Sequence, residues 1–317
     1  MPTQIGFVGL GRMGGNMVTR IKRDSGHDVV AYDREKDTVK RIADTTGARP
    51  ARSLADLVKK LDAPRMVWIM VPAGKPTQDT VDKLASLMGK GDMIIDGGNS
   101  KWSDDMARAA ALRKAGIQYV DVGTSGGVWG LEVGYCMMVG GPQQAVRKLA
   151  PILDVLAPET KPDARATLGD RGWGHFGPSG AGHYVKMVHN GIEYGLMQAY
   201  AEGFDLFDKS DFELDNAKIA HLWNQGSVVR SWLCELAARA FEQEGNDLHG
   251  LSGYTEDSGE GRWTIEDAMA HDVPTPVITA SLHARFYSRG NGDFTHRMLA
   301  ALRAQFGGHA TKKPADG

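Results

Sequence analysis

The sequence is short of the residues from which many functional sites are built. Its 317 residues include only two cysteines, Cys136 and Cys234. Neither belongs to a CxxC pair, which excludes a disulfide framework and a cysteine-based metal cluster and predicts two buried packing thiols. The ten histidines are scattered without HExxH-type spacing, so no protein-bound metal is expected. No apolar run approaches the roughly 18 residues of a membrane span. The first apolar segment begins at Ile5, leaving no room for a charged n-region and a removable h-region; a cytoplasmic protein is expected. An excess of one charge is lacking too. Lys and Arg number 37 against 39 Asp and Glu, a formal net charge of −2 that argues against nucleic acid as the main partner.

What is present is an alternation of short apolar runs with helical patterns. Ile5–Gly9, Asp28–Tyr32, Met66–Val71, Met93–Asp96, Tyr119–Val122 and Tyr135–Gly140 read as buried strands, with amphipathic segments such as Asn16–Arg23, Ser53–Leu61 and Asp104–Ala115 between them. Continuous apolar strands alternating with helices predict an α/β Rossmann-like, doubly wound parallel sheet. Ser53 and Asp56 have capping-box spacing. After one more helix (Ala145–Leu156) and a polar stretch, Gly172–Gly177 is the last extended piece. Beyond it helical runs dominate: Gly182–Asp208, Ala217–Glu242, Thr264–His271 (Thr264 and Asp267 repeating the capping spacing), Pro276–Tyr287 and Thr295–Phe306. The expected organisation is a dinucleotide-binding domain over 1–178 and an all-α substrate-binding and dimerisation domain over 179–317.

Gly9-Leu10-Gly11-Arg12-Met13-Gly14 follows the first strand and opens a helix. The first glycine permits the tight turn, the second admits a pyrophosphate to the backbone N–H groups, and the third lets helix and strand pack closely. Asp33 ends the next strand, where a carboxylate can accept both ribose hydroxyls of NAD and repel the 2′-phosphate of NADP. Arg34 beside it could stack on adenine or reach that phosphate, so NAD is the expected cofactor and NADP a weaker one. Val71-Pro72-Ala73 and the Asp96–Ser100 loop with Asn99 lie at further strand ends, where such sheets bind ligands. Ser125-Gly126-Gly127 offers a hydroxyl and two unhindered N–H groups suited to an anion, or equally a turn before a hairpin.

Lys186, His189, Asn190, Glu193 and Tyr194 recur at i, i+3, i+4, i+7 and i+8, within roughly 140° of one helix face at about 100° per residue. Met187, Val188 and Ile192 between them are apolar, unlike the Glu/Lys/Gln mix of an ordinary solvated face. The stripe predicts a helix lining a cleft, able to supply a base, an acid and orienting hydrogen bonds.

With these motifs in view the sequence resembles the 6-phosphogluconate dehydrogenases, specifically their shorter, NAD-type branch. The carriers are GLGRMG (9–14), DGGNS (96–100), TSGG (124–127), KMVHNGIEYG (186–195), RWT (262–264) and RAQFGGH (303–309). The resemblance implies that Lys186, neutral when substrate binds, removes the C3 hydroxyl proton and then stabilises the oxyanion of decarboxylation, with Glu193 protonating C1 of the enediol. It implies that Asn190 and His189 hold the substrate hydroxyls, that Ser125, Gly126 and Gly127 bind the carboxylate end, and that Asn99 sits between nicotinamide and substrate. For the phosphate it implies Tyr194, Arg285 and, from the tail of another subunit, Arg303 with His309, hence a homodimer or higher oligomer. The longer members carry a lysine and a threonine where this chain has Ser258 and Glu260, and a glutamate there must point away from a dianion. The competing reading is a β-hydroxyacid dehydrogenase acting on a small unphosphorylated 3-hydroxy acid, which would need neither Glu193, Arg285 nor Arg303. A dinucleotide-binding sensor without catalysis would need none of the helix stripe.

Overall fold

The computed structural model describes residues 3–159, 171–292 and 294–299. Internal contacts divide the chain into two compact units, Met1–Val188 and His189–Gly317.

The first unit is built on one eight-stranded sheet. Its strands are β1 (Gln4–Val8), β2 (Asp28–Tyr32), β3 (Arg49–Pro50), β4 (Met66–Ile69), β5 (Met93–Asp96), β6 (Gln118–Ser125), β7 (Cys136–Gly140) and β8 (Trp173–Gly177). Their order is β3-β2-β1-β4-β5-β6-β7-β8, with the chain reversing direction across the sheet between β1 and β4. That reversal opens a crevice at the carboxyl ends of both strands. The helices α1 (Arg12–Asp24), α2 (Lys36–Thr46), α3 (Leu54–Lys59), α4 (Lys75–Ala85), α5 (Trp102–Arg113), α6 (Gly130–Val133) and α7 (Gln143–Leu156) intervene. One apolar cluster, including Ile5, Phe7, Ile21, Trp68, Val120 and Leu153, covers one face of the sheet. A second, including Val8, Val30, Leu57, Ile69, Leu84 and Ile94, covers the other. Strands buried on both faces must be apolar at every position, which is why they appear as continuous runs in the sequence.

Four expectations need correction. Every strand pairing is parallel except that of β6 with β7, which is antiparallel from Asp121↔Gly140 to Ser125↔Cys136, so β7 and its parallel neighbour β8 run against the other six strands; a short connection can join only antiparallel neighbours. Cys136 at the start of β7 is exposed, and only Cys234 is buried. The apolar run 217–242 is two helices, α9 (Asn216–Trp223) and α10 (Trp232–Glu244), following α8 (Ala181–Asp208). Gly226 turns left-handed at φ 87° and Ser231 caps α10 through Cys234 N–H at 3.1 Å, so turn and cap chemistry override the periodicity. Thr264 is no cap. It lies inside α11 (Glu260–Ala270), its hydroxyl donating to Glu260 O at 2.8 Å. The capping at Ser53 holds, with Asp56 N–H on Ser53 Oγ at 3.1 Å. The Asp56 carboxylate takes the Arg52 N–H rather than that of Ser53.

The regular elements among the second unit's described residues are all helices, from the later turns of α8 through α9, α10, α11 and α12 (Pro276–Tyr287) to a helical segment at 294–299, joined by irregular stretches such as 245–259. Phe204, Ala220, Cys234, Ala238 and Phe241 form its buried cluster.

Candidate active site

The glycine-rich turn sits at the head of the crevice. Gly9 has φ 91°, which only glycine adopts without strain, and its N–H bonds Tyr32 O at 2.9 Å. A Cβ on Gly14 would lie 2.0 Å from Gly9 O, whereas one on Gly11 would meet nothing within 4 Å. The first and third glycines serve the fold, and the second leaves open space over the first turn of α1. Gly14→Ala is therefore expected to lower the melting temperature. Gly11→Ala should leave it unchanged while raising the Michaelis constant for the dinucleotide by about tenfold, a split that thermal melts and initial rates measure directly.

Asp33 accepts Leu10 N–H at 2.7 Å through one carboxylate oxygen and Glu35 N–H at 3.0 Å through the other, tying the turn to β2. A carboxylate has about four lone-pair sites, so it keeps capacity for ribose hydroxyls. A cavity of about 550 Å³ is lined by Gly9, Leu10, Gly11, Arg12, Asp33, Arg34, Val71 and Pro72, as expected for a cofactor crevice. Met13, Gly14, Ala73 and Asn99 are not among its lining residues. The sequence reading missed Thr38, Arg41, Leu54, Pro76 and Thr80, which also line it. A chamber of this size, with an acid where a ribose would lie and an unobstructed helix N-terminus, fits a dinucleotide.

Further along the sheet, Ser125-Gly126-Gly127 leaves the end of β6 into a connection whose glycines have φ of 129° and 51°. The turn leads into the antiparallel pairing of β6 with β7. Arg20, buried on α1, pins the connection by donating to Leu131 O at 3.1 Å and Glu132 O at 3.2 Å.

Helix α8 starts against the sheet because two glycines let it. A Cβ on Gly182 would lie 2.4 Å from Met138 O, and one on Gly123 would lie 2.4 Å from Lys186 Cβ. The Asp121 carboxylate, from β6, accepts the N–H groups of Gly180 at 2.6 Å and His183 at 2.9 Å, a cap supplied from about 60 residues away. Lys186, 7 % exposed, is thereby laid on β6 just before the Ser-Gly-Gly turn. Although Cys136 is exposed as a residue, desolvation around its sulfur raises the thiol pKa, and the positive charge of Lys186 opposes that rise. Gly123→Ala is expected to displace α8 and cost about 1–3 kcal/mol by overpacking. Its activity should fall further than its stability does, which denaturant titration beside kcat would show.

The stripe continues along the same helix in the second unit. Asn190 and Tyr194 are buried, while the His189 and Glu193 side chains are each 36 % exposed. His189 Nδ1 lies 2.9 Å from Asn190 Oδ1 and 3.7 Å from Glu193 Oε2. The Tyr194 hydroxyl accepts Ser258 N–H at 3.1 Å, and the Arg285 guanidinium stacks 3.7 Å over the Tyr194 ring while donating to Glu256 O at 2.7 Å. Arg262 and Arg289 hold the Asp257 carboxylate at 3.0 and 2.9 Å, and the hydrogen bond from Arg262 leads in pulling its pKa down to about 2. Glu260 is 1 % exposed in the first turn of α11, so it is not presented to solvent. Arg303 and His309 lie outside the described residues.

Residues 4–164 match the family model described as the NAD binding domain of 6-phosphogluconate dehydrogenase, and residues 182–313 that of its C-terminal domain. The chain belongs to the 6-phosphogluconate dehydrogenase family. A Haloferax volcanii relative, a 6-phosphogluconate dehydrogenase named as NAD(+)-dependent and decarboxylating, is 45% identical over 313 residues, covering 99% of this chain and 100% of that one. A putative 6-phosphogluconate dehydrogenase of Bacillus subtilis is 41% identical over 98% of this chain and 99% of its own. The solved 6-phosphogluconate dehydrogenase of Plasmodium falciparum superposes with a TM-score of 0.80 at 26% identity, over 99% of this chain and 67% of that longer one.

The sequence reading of this family's site passed over a buried polar cluster under the Asn99 loop. The Asp96 carboxylate accepts Gly98 N–H at 3.0 Å and the Ser100 hydroxyl at 2.7 Å, with Arg108 at 3.3 Å and Tyr119 at 3.1 Å. Asp105 accepts the Tyr119 hydroxyl at 2.7 Å and faces His183 Nδ1 at 2.7 Å. Burial alone would lower the His183 pKa, but the carboxylates of Asp105, Asp96 and Asp121 outweigh it and raise it from 6.5 to about 10. The stability this charge contributes is complete below pH 6.5 and is lost as pH rises toward about 10. Melting of the protein across that range should show a downward slope that His183→Gln lacks.

Proposed function

We propose that this protein catalyses the oxidative decarboxylation of 6-phosphogluconate to ribulose 5-phosphate and CO₂, preferring NAD to NADP. The observation that carries the reading is helix α8, which bears Lys186, His189, Asn190, Glu193 and Tyr194 in one continuous element. Asp33 supports the NAD preference, as does the NAD(+)-dependence named for the Haloferax relative. Arg34, 89 % exposed and 3.6 Å from Glu35, lines the same crevice and leaves NADP a weaker alternative.

Bound nicotinamide would accept a hydride from C3 of the substrate. Lys186 Nζ takes the proton of the C3 hydroxyl in that step, and as an ammonium it then stabilises the oxyanion that forms when CO₂ leaves. Glu193 donates a proton to C1 of the resulting enediol. His189 and Asn190 orient the substrate hydroxyls, Ser125, Gly126 and Gly127 receive its carboxylate, and Asn99 lies on the nicotinamide side. Tyr194 and Arg285 take the phosphate, Arg285 exchanging its Glu256 carbonyl for the better acceptor. Arg303 and His309 of a second copy complete that end, making the working form a homodimer or larger. No helix among the described residues is long and apolar enough to cross a membrane; a cytoplasmic location belongs to the same proposal.

Incubation with 6-phosphogluconate and NAD or NADP, followed by nicotinamide absorbance and CO₂ release, tests the reading. Reduction with one CO₂ per turnover, faster with NAD, is expected. Reduction with 3-hydroxyisobutyrate but not with 6-phosphogluconate would replace it with the small-acid reading.

A further inference from the structure

His183 lies one turn before Lys186 on α8 and is 1 % exposed, with both ring nitrogens engaged. Nδ1 meets the Asp105 carboxylate at 2.7 Å, and Nε2 meets the Gly98 carbonyl at 3.0 Å. A carbonyl can only accept, so Nε2 carries a proton and donates it. Gly98 is the residue before Asn99. Its N–H is already held by Asp96 from beneath, so the His183 contact fixes the other side of the same peptide turn. The main-chain N–H of His183 is bound by Asp121, which sets the height of the α8 first turn on β6. One imidazole therefore joins the loop bearing Asn99 to the helix bearing Lys186.

We propose that His183 is a positioning residue: its Nε2–H tether to the Gly98 carbonyl sets the Asn99 turn against Lys186, and with it the approach of nicotinamide to the substrate carbon. The inference rests on the roles proposed above for Asn99 and Lys186. The Asp105 contact is separable from the tether. It pairs the buried imidazolium, to which Asp96 and Asp121 also contribute negative charge, while Arg108 and Tyr119 hold the Asp96 and Asp105 carboxylates.

Two amides separate the contacts. The nitrogen of asparagine reaches the place of histidine Nδ1, and that of glutamine the place of Nε2. His183→Asn keeps a partner for Asp105 and drops the tether, whereas His183→Gln keeps the tether and weakens the Asp105 contact. The tether predicts that His183→Asn lowers kcat with 6-phosphogluconate by about 10- to 100-fold, with little change in its KM. It also predicts a larger deuterium isotope effect from C3 in that variant. His183→Gln should stay within about threefold of wild type in kcat even if it melts lower. Asp105→Asn, which leaves Nε2–H on Gly98, should behave like the glutamine variant.

Amide hydrogen exchange over residues 97–100 of the free full-length protein is the second readout. It should accelerate in His183→Asn and not in His183→Gln. Equal exchange in both variants, or kcat falling in step with melting temperature in all three, would overturn the tether. Should His183→Asn not fold, loss of kcat in both His183→Gln and Asp105→Asn would overturn it, and retention in both would support it. Inactivity of the wild type toward 6-phosphogluconate would instead fail the proposed function, with exchange still deciding the tether.

Discussion

Lys186→Ala is expected to reduce kcat with 6-phosphogluconate by on the order of 10⁴-fold, the upper range for loss of a general acid–base group, while leaving NAD affinity within about twofold. The asymmetry follows from placement. The cofactor crevice is lined from the turns after β1, β2 and β4, and Lys186 is not among its lining residues. The lysine is held on β6 by the close approach at Gly123, so truncating it removes the amine without unseating the dinucleotide. Lys186→Arg separates base from charge. A guanidinium remains protonated at any working pH and cannot take the hydroxyl proton, so it should be nearly as inactive as alanine. Turnover of the arginine variant near wild type would sink the base assignment and leave only an electrostatic role. Stopped-flow reduction of NAD, with NADH binding measured by fluorescence, distinguishes the two.

The parts of the site that were legible in the sequence are those that local geometry dictates. Gly9, Gly11 and Gly14 followed by Asp33 could be placed because a strand, a turn and a helix N-terminus leave few alternatives at such spacing. The Lys186–Tyr194 stripe could be placed because helical periodicity fixes which side chains share a face. What escaped depends on contacts between residues far apart in the chain. Asp121 capping α8 and His183 reaching Gly98 bridge about 60 and 85 residues, and no local pattern announces them. One signal was available: His183 precedes Lys186 by three, so it extends the same polar stripe by a turn. The break between α9 and α10 is hidden in the sequence for the opposite reason. Apolar spacing ran on through Gly226 and Ser231, whose turn and cap chemistry decided the local structure. Residue type alone predicts a core position for Cys136, whereas its place at the first position of β7 exposes it.

Glu193→Gln should stop the reaction at a different place. Glu193 lies seven residues, nearly two turns, beyond Lys186 on α8, with its carboxylate 3.7 Å from His189 Nδ1 and its side chain 36 % exposed. In the proposed sequence it acts only after C3 has been oxidised and CO₂ has left, when the enediol needs a proton at C1. Glutamine preserves the shape and the hydrogen-bonding reach but has no acidic proton to give. The variant should therefore form about one NADH and one CO₂ per site at close to the wild-type rate. Steady turnover should then be about 10²- to 10⁴-fold slower, a burst that rapid mixing resolves. Lys186→Ala should show no burst, since its loss precedes hydride transfer. Two residues on one helix would then divide the proton work, the buried amine opening the reaction and the half-exposed carboxyl closing it. Absence of a burst in Glu193→Gln, with a full isotope effect from C3, would move Glu193 to the oxidation step and end that division.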